Sequence, residues 1–388
     1  MPSKVHLFDL THEELEHFVR KLGEPRYRAD QIWDWLYHHL ASGFEQMTNL
    51  PLELRERLAD TAAIHTIAPV VETDSHETPT RKVLFQLEDG ESIEAVLMHY
   101  ETADPDYRSE TAGEPLGESN GHDRERHTAC ISTQVGCAMG CVFCSTGQMG
   151  LVRQMTAGEV IEQVIYLARE LRREGGRLTN VVFMGMGEPL ANWPATWQTV
   201  ETLNDAEGFN MGARRMTIST IGLVPGIRQL ARVGIQIRLA VSVHAPNDEL
   251  RSQLVPINVQ YPLDEVMDAC REYLARTHRR ITFEYVMIDH VNDFPEHAGA
   301  LADLIQDMLC HVNLIPLNPT PGSNMRPSSY ARCMAFQSIL RQRGVPTTLR
   351  VRRGIDVQAG CGQLRTRVEE GLVGRTIGNA TRTGGILD

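Results

Sequence analysis

No stretch of the 388-residue chain approaches the ~18 consecutive apolar residues that a membrane-spanning helix demands, so no span is expected. The opening MPSKVHLFDLTHEELEHF lacks the apolar centre of a secretory signal and is too acidic for a transit peptide, which points to a cytoplasmic address. Positive charge is in deficit. Thirty-eight Lys+Arg against 50 Asp+Glu leave a net charge of −12, which excludes a protein that clings to nucleic acid over its whole surface but allows a local basic patch. No repeat of fixed period is present. With 42% hydrophobic and 23% charged residues the chain can bury a large core, divided among more than one domain. Cysteine, by contrast, is plentiful. In a reducing compartment the eight cysteines are read first as metal or catalytic chemistry and only then as disulfide scaffolding, and four of them fall within fifteen residues.

Residues 7–60 carry a helical period. Thr11 and Glu14 form a T-x-x-E capping box ahead of Leu15, Phe18, Val19 and Leu22 on one face, stopped by Gly23 and Pro25. A second helix is expected through Gln31–Leu40, with Ile32, Trp35 and Leu36 together, and a third after Pro51. From about Thr78 the period changes to two, RKVLFQL and SIEAVLMHY flanking a turn at Asp89-Gly90, which predicts a β-hairpin. Residues 101–127 hold eight acidic and three basic residues with few aliphatics and read as a solvated loop. Beyond it, TACIST, NVVFMG, MTIST, IRLAVSV, TFEYVMI, VNLIPL and TTLRVR alternate with helix-length segments, a parallel α/β pattern. Six runs after the first are too few for a closed eight-fold barrel, so the expected architecture is an open, partial (β/α)6 barrel with its site at the strand C-terminal ends. The expected divisions are a helical accessory domain at 1–62, a β-hairpin linker with the acidic loop at 63–122, an α/β core at 123–356 and a tail at 357–388. From Arg341 onward nine arginines face four acidic residues, a candidate grip on phosphate.

The sharpest motif is Cys137-Ala-Met-Gly-Cys141-Val-Phe-Cys144, immediately after the expected strand Thr128–Thr133. Three thiolates in one tight loop can hold three corners of an iron–sulfur cube and leave one iron open. Structural zinc is the competing reading, although zinc favours paired C-x2-C units and four protein ligands, and no histidine lies close by. Among the other cysteines, Cys270, Cys310 and Cys333 sit in helix-like apolar stretches and read as packing. Cys361 lies between Gly360 and Gly362, with no apolar body around it, as suits a thiolate that a reagent must reach.

The C-x3-C-x2-C run after the first α/β strand resembles the radical S-adenosylmethionine (SAM) superfamily. Four further runs, GMGEP (185–189), RRMTISTIG (214–222), SVHAPND from Ser242 and NLIPLNP ending near Asn318, lie in order at the ends of successive expected strands. With the LGEPRYRADQIWDWLY module, the whole pattern resembles the RlmN/Cfr family of RNA methyltransferases, most closely its RlmN branch, departing chiefly at the acidic loop. The resemblance implies a [4Fe-4S] cluster on Cys137, Cys141 and Cys144, and SAM held by Gly187, Glu188, Ser219, Ser242, Val243, His244 and Asn318.

It further implies methylation of carbon 2 of adenosine in 23S rRNA and in tRNA beside the anticodon, with Cys361 as methyl acceptor, Cys130 as resolving thiol through a transient disulfide, and Glu94 as base. From the residues alone, Glu94 would be one polar position on an alternating strand. The implied partners are those RNAs and an electron donor of flavodoxin or ferredoxin type, with no membrane and a monomeric enzyme. Cfr-type methylation of carbon 8, or a non-catalytic iron–sulfur or zinc RNA-binding protein, are the alternatives.

Overall fold

The computed structural model describes residues 4–101, 125–320, 323–350, 352–364 and 375–376. A short strand β1 (Val5–His6) opens a helical module of α1 (His12–Lys21), α2 (Tyr27–Tyr37) and α3 (Leu52–Thr61), and its parallel pairing with β2 (Ala62–Ala63) brings the ends of the module together. The expected capping box is present: Glu14 N–H donates to Thr11 Oγ1, and Thr11 N–H donates to Glu14 Oε2 at 2.8 Å. The second helix starts four residues earlier than its sequence suggests, because Arg26-Tyr27-Arg28 looks polar. With the turn phased from Tyr27, Ile32, Trp33 and Leu36 form the buried stripe, and Trp35 instead donates its indole N–H to Asn49 Oδ1 near the surface.

Three antiparallel strands follow, β3 (Ile67–Asp74), β4 (Thr80–Leu87) and β5 (Ser92–Glu101). The first of them escapes the sequence pattern because Pro69 interrupts it, and the register shifts between Pro69 and Val71. β5 pairs antiparallel with β6 (Glu125–Cys130), with Glu101 opposite Glu125. Residues 125–127 therefore belong to a strand and not to the acidic loop; the rest of that loop, 102–124, lies outside the described residues. A separate hairpin of β7 (Gln134–Cys137) and β8 (Gly150–Gln154) carries α4 (Ser145–Met149) between its strands, and α5 (Ala157–Arg173) follows.

Six more strands, β9 (Asn180–Phe183), β10 (Met216–Thr220), β11 (Arg238–Ser242), β12 (Ile281–Met287), β13 (Cys310–Pro316) and β14 (Thr347–Leu349), alternate with helices and join β6 in parallel. All seven apolar runs thus become parallel strands. The whole is one open, mixed sheet of eleven strands in the order β14-β13-β12-β11-β10-β9-β6-β5-β4-β3-β15, where β15 is Arg375–Thr376. By register Val181, Phe183, Ile218, Leu239, Ile281, Phe283 and Val312 share one face of the sheet and are buried, whereas the opposite face carries Thr217, Arg238, Thr282, Glu284 and Asn313, which line a cavity. Cys270, Cys310 and Cys333 are buried, as expected of packing residues, although Cys310 opens strand β13 and does not lie in a helix. Among the described residues, no helix is long and apolar enough to cross a membrane.

Candidate active site

Cys137 is the last residue of β7, paired with Gly150 of β8, so the hairpin fixes the start of the three-cysteine loop. Its middle is pinned where Val142 N–H donates to Leu254 O at 3.1 Å. Its end is set by Cys144, whose N–H donates to Cys141 O at 3.1 Å before the chain enters α4. Gly147 of that helix packs so close that a Cβ would stand 3.0 Å from Cys141 N, which is why the helix carries no side chain there. Burial pushes the Cys137 thiol up to about 12 and raises Cys144, and Cys141 rises well above the ordinary thiol value by burial and by the neighbouring Cys144 and Cys137. Three such thiols become thiolates only with a cation among them. Among the described residues, the grouping whose donor atoms all lie within 4.8 Å of one another is His12, Glu16 and Asp30, and the three sulfurs form no such grouping. A single zinc ion needs that closeness; a cube spanning several ångströms does not.

The loop faces a cleft at the C-terminal ends of β9 to β13, lined by Cys137, Cys141 and Cys144 together with Gly187, Glu188, Ser219, Ser242, His244, Asn318 and Cys361. Glu188 is buried. Its Oε2 accepts the Ile221 N–H at 2.8 Å and its Oε1 the Leu190 N–H at 3.1 Å. Burial nevertheless raises its carboxyl to about 7, opposed by these donors and the Thr220 hydroxyl. Gly187 precedes it at φ +101°, where a Cβ would lie 2.6 Å from Gln134 Cβ, so only glycine allows this approach. His244 also adopts a left-handed conformation, φ 62°. Val286 N–H donates to its Nδ1 at 3.1 Å, which places the ring proton on Nε2, and burial with nearby Arg251 lowers the imidazole to about 3. Val243, although adjacent, turns its side chain into the core, and its backbone is committed to Glu284 O and the Arg251 guanidinium.

Asn318 donates Nδ2 to Cys361 O at 3.1 Å, while its buried Oδ1 has no hydrogen-bond partner among the described residues. Such an orphaned acceptor, beside a carboxyl displaced upward by burial, fits a polar, cationic ligand such as SAM. Cys361 itself is exposed. The glycines around it give close approach rather than looseness: Gly362 O accepts from Ser145 N at 2.8 Å, and a Cβ on Gly360 would meet Asn318 Nδ2 at 2.6 Å.

Next to the cleft, and sharing Cys144, Asn318, Arg350 and Cys361 with it, lies a second cavity that also contains Cys130, Val96, Met98 and Val182. Burial, and to a lesser degree Cys361, pushes the Cys130 thiol up to about 12. Glu94 lines neither space. It is 2% exposed, forms an ion pair with Lys82 Nζ at 2.8 Å, and shares a strand face with the cavity-lining Val96 and Met98. Sequence reasoning missed Arg251, which is 1% exposed and ties the strand ends together through Val243 O, Ser242 O and Asn258 Oδ1. It also missed Gln134, whose Oε1 accepts from Glu188 N at 2.7 Å, and Arg350.

Residues 5–64 match the family model of the ribosomal RNA large subunit methyltransferase N-terminal domain, and residues 131–304 that of the radical SAM superfamily. The chain is 46% identical to a probable dual-specificity RNA methyltransferase RlmN of Chloroflexus aurantiacus, over 93% of each chain. It is 45% identical to the dual-specificity RNA methyltransferase RlmN 1 of Myxococcus xanthus, over 95% of this chain and 97% of that one. The crystal structure of a radical SAM methyltransferase from Sphaerobacter thermophilus superimposes with a TM-score of 0.86 at 50% identity, covering 94% of this chain and all of that one. The chain therefore belongs to the RlmN family of radical SAM RNA methyltransferases, enzymes that use a [4Fe-4S] cluster and SAM.

Proposed function

We propose that this enzyme methylates carbon 2 of adenosine in 23S rRNA and, beside the anticodon, in tRNA, in the cytoplasm, consuming two SAM per turnover. The observation that carries the reading is the placement of two thiols, Cys130 and Cys361, in one cavity that opens beside the three-cysteine cleft. The relatives' description as dual-specificity RNA methyltransferases supports two RNA substrates. The bound cluster and SAM supply a methyl group and a carbon-centred radical, which carbon 2 requires because it has no lone pair to attack a methyl donor.

In this reading Cys137, Cys141 and Cys144 would hold the cluster by their thiolates, and the cluster would supply the electron that SAM needs. Glu188 would face the ammonium of SAM, and Gly187, Ser219, Ser242, His244 and Asn318 would cradle the remainder, Val243 being turned into the core. Cys361 Sγ carries the methyl carbon to the base, and Glu94 removes the carbon 2 proton. Once that carbon bridges Cys361 and the adenine, the Cys130 thiolate attacks Cys361 Sγ. The carbon–sulfur bond breaks, its electron pair stays on the substrate carbon, which takes a proton to become the methyl group, and the two sulfurs form a disulfide. A flavodoxin- or ferredoxin-type donor serves a monomeric enzyme. Anaerobic reconstitution with iron and sulfide, followed by SAM, reductant and an rRNA fragment, tests the reading by nucleoside mass spectrometry. 2-Methyladenosine is expected; 8-methyladenosine, or an unmodified base, overturns it.

A further inference from the structure

We propose that Arg350 is a positioning residue for substrate release, its guanidinium favouring the Cys130 thiolate that attacks Cys361. The inference rests on the two-thiol reading above. Cys130 ends β6 with apolar neighbours, Val96 and Met98 from β5, Val182 from β9 and Met184 just beyond it, in a cavity where a bare thiolate is strongly disfavoured. Yet a neutral thiol does not displace a thioether carbon; the attack needs the anion.

The chain after β14 supplies a cation that opposes this cost. Arg350 N–H donates to Leu314 O at 2.9 Å, which fixes the backbone at the mouth of β13. Its side chain lines the two-thiol cavity, the three-cysteine cleft and a third, polar cavity bounded by Glu284 and Asn313, so it stands at the wall where all three adjoin. The other charged or titratable groups lining the cavity are Cys361 and Cys144, with Arg352 and Arg353 on the same segment as Arg350; Glu94, paired with Lys82, lies outside it on the same face of β5. Arg353 is turned to the ring of Tyr100, 4.4 Å from its centroid. Burial is the largest influence and, with Cys361, keeps the Cys130 thiol up at about 12, while Arg350 is the cation that pulls the other way and favours the anion.

In the release step the Cys130 thiolate forms the sulfur–sulfur bond, the sulfur–carbon bond of Cys361 breaks, and the substrate carbon takes the electron pair and a proton. Methyl transfer to Cys361 and bond formation to the base precede that step and do not use the Cys130 anion.

The test compares Arg350→Met and Arg350→Lys with Cys130→Ala and Cys361→Ala, each purified from cells. Iron content, S-methylation of Cys361 by peptide mass spectrometry, and RNA-linked protein on denaturing gels are read together. Arg350→Met is expected to load iron and carry S-methylcysteine normally yet accumulate RNA adduct at least ~10-fold above the parent, as Cys130→Ala does, and Arg350→Lys to return the adduct toward the parent level. Arg350→Gln carries the same expectation should Arg350→Met fail to fold. Loss of S-methylation in Arg350→Met, an adduct level like the parent's, or no rescue by lysine overturns the assignment. Adduct in Cys130→Ala but not in Arg350→Met rejects Arg350 alone, whereas no adduct in Cys130→Ala rejects the two-thiol reading itself.

Discussion

At the scale of single residues, the site is built from groups that are uncomfortable until a ligand arrives. Burial raises the proton affinity of the three thiols, Cys144 adding to the rise at Cys137 and Cys141, and burial raises the Glu188 carboxyl to about 7. Alanine at Cys137, Cys141 or Cys144 should abolish iron binding while far-UV circular dichroism stays unchanged, since two thiolates do not secure the cube. An iron-loaded, active single variant contradicts the ligand assignment. Glu188→Gln keeps shape but removes the charge that meets an ammonium, so SAM affinity should fall by about 1.5–3 kcal/mol, on the order of 10- to 150-fold, measured by equilibrium binding to the reconstituted protein. The cysteines were legible in the sequence because their meaning lies in local spacing. Arg251, Gln134 and Arg350 were not, because each acquires its role from chain segments far away. Arg251, in NDELRSQL, looks like an ordinary exposed helical arginine, and only folding brings it under the ends of β10 and β11.

Between elements, one carboxylate ties α5 to the segment that leads from the helical module into the sheet. Glu162 of α5 accepts from Thr66 Oγ1 at 2.7 Å and Ile67 N at 3.1 Å, binds Thr66 N–H, and pairs with His65, on the segment that leads from β2 into β3. Glu162→Ala strands these donors and should cost about 1–3 kcal/mol, read from the urea midpoint at constant slope. The Glu162 hydrogen bond raises the His65 pKa above its usual 6.5, against burial. A raised folded-state value means that this stabilisation is fully present below pH 6.5 and is lost as pH rises through the folded value. The parent's midpoint should therefore carry a decline over that window that Glu162→Ala lacks; equal slopes in both proteins refute the coupling. At this scale the sequence was readable wherever a period ran unbroken, as in the seven parallel strands. It misled where polar residues began an element, shifting α2 and hiding Trp33, and where Pro69 broke β3.

Across the whole molecule, the mixed sheet makes the β3–β5 strands a continuation of the parallel set, so one wall of the two-thiol cavity comes from each part: Val96 and Met98 from β5, Cys130 and Val182 from β6 and β9. The alternation of strands and helices announced the parallel half, but no local signal reveals that an antiparallel hairpin will add to its edge. Because Glu101 and Glu125 are paired neighbours, a short Gly/Ser turn can replace residues 102–124 without moving β5 or β6. That deletion should leave the melting temperature and methylation unchanged and, by removing net negative charge, raise RNA affinity at low salt; loss of SAM binding contradicts the assignment of that segment as dispensable.

The division of labour between Cys130 and Cys361 is tested most directly by Cys130→Ala purified from cells and run on a denaturing gel with and without nuclease. Cluster assembly, SAM binding and S-methylation of Cys361 should survive, and the variant should carry RNA bound covalently through Cys361, absent from Cys361→Ala and from the double variant. A Cys130→Ala protein free of RNA, or an adduct that persists without Cys361, contradicts the account.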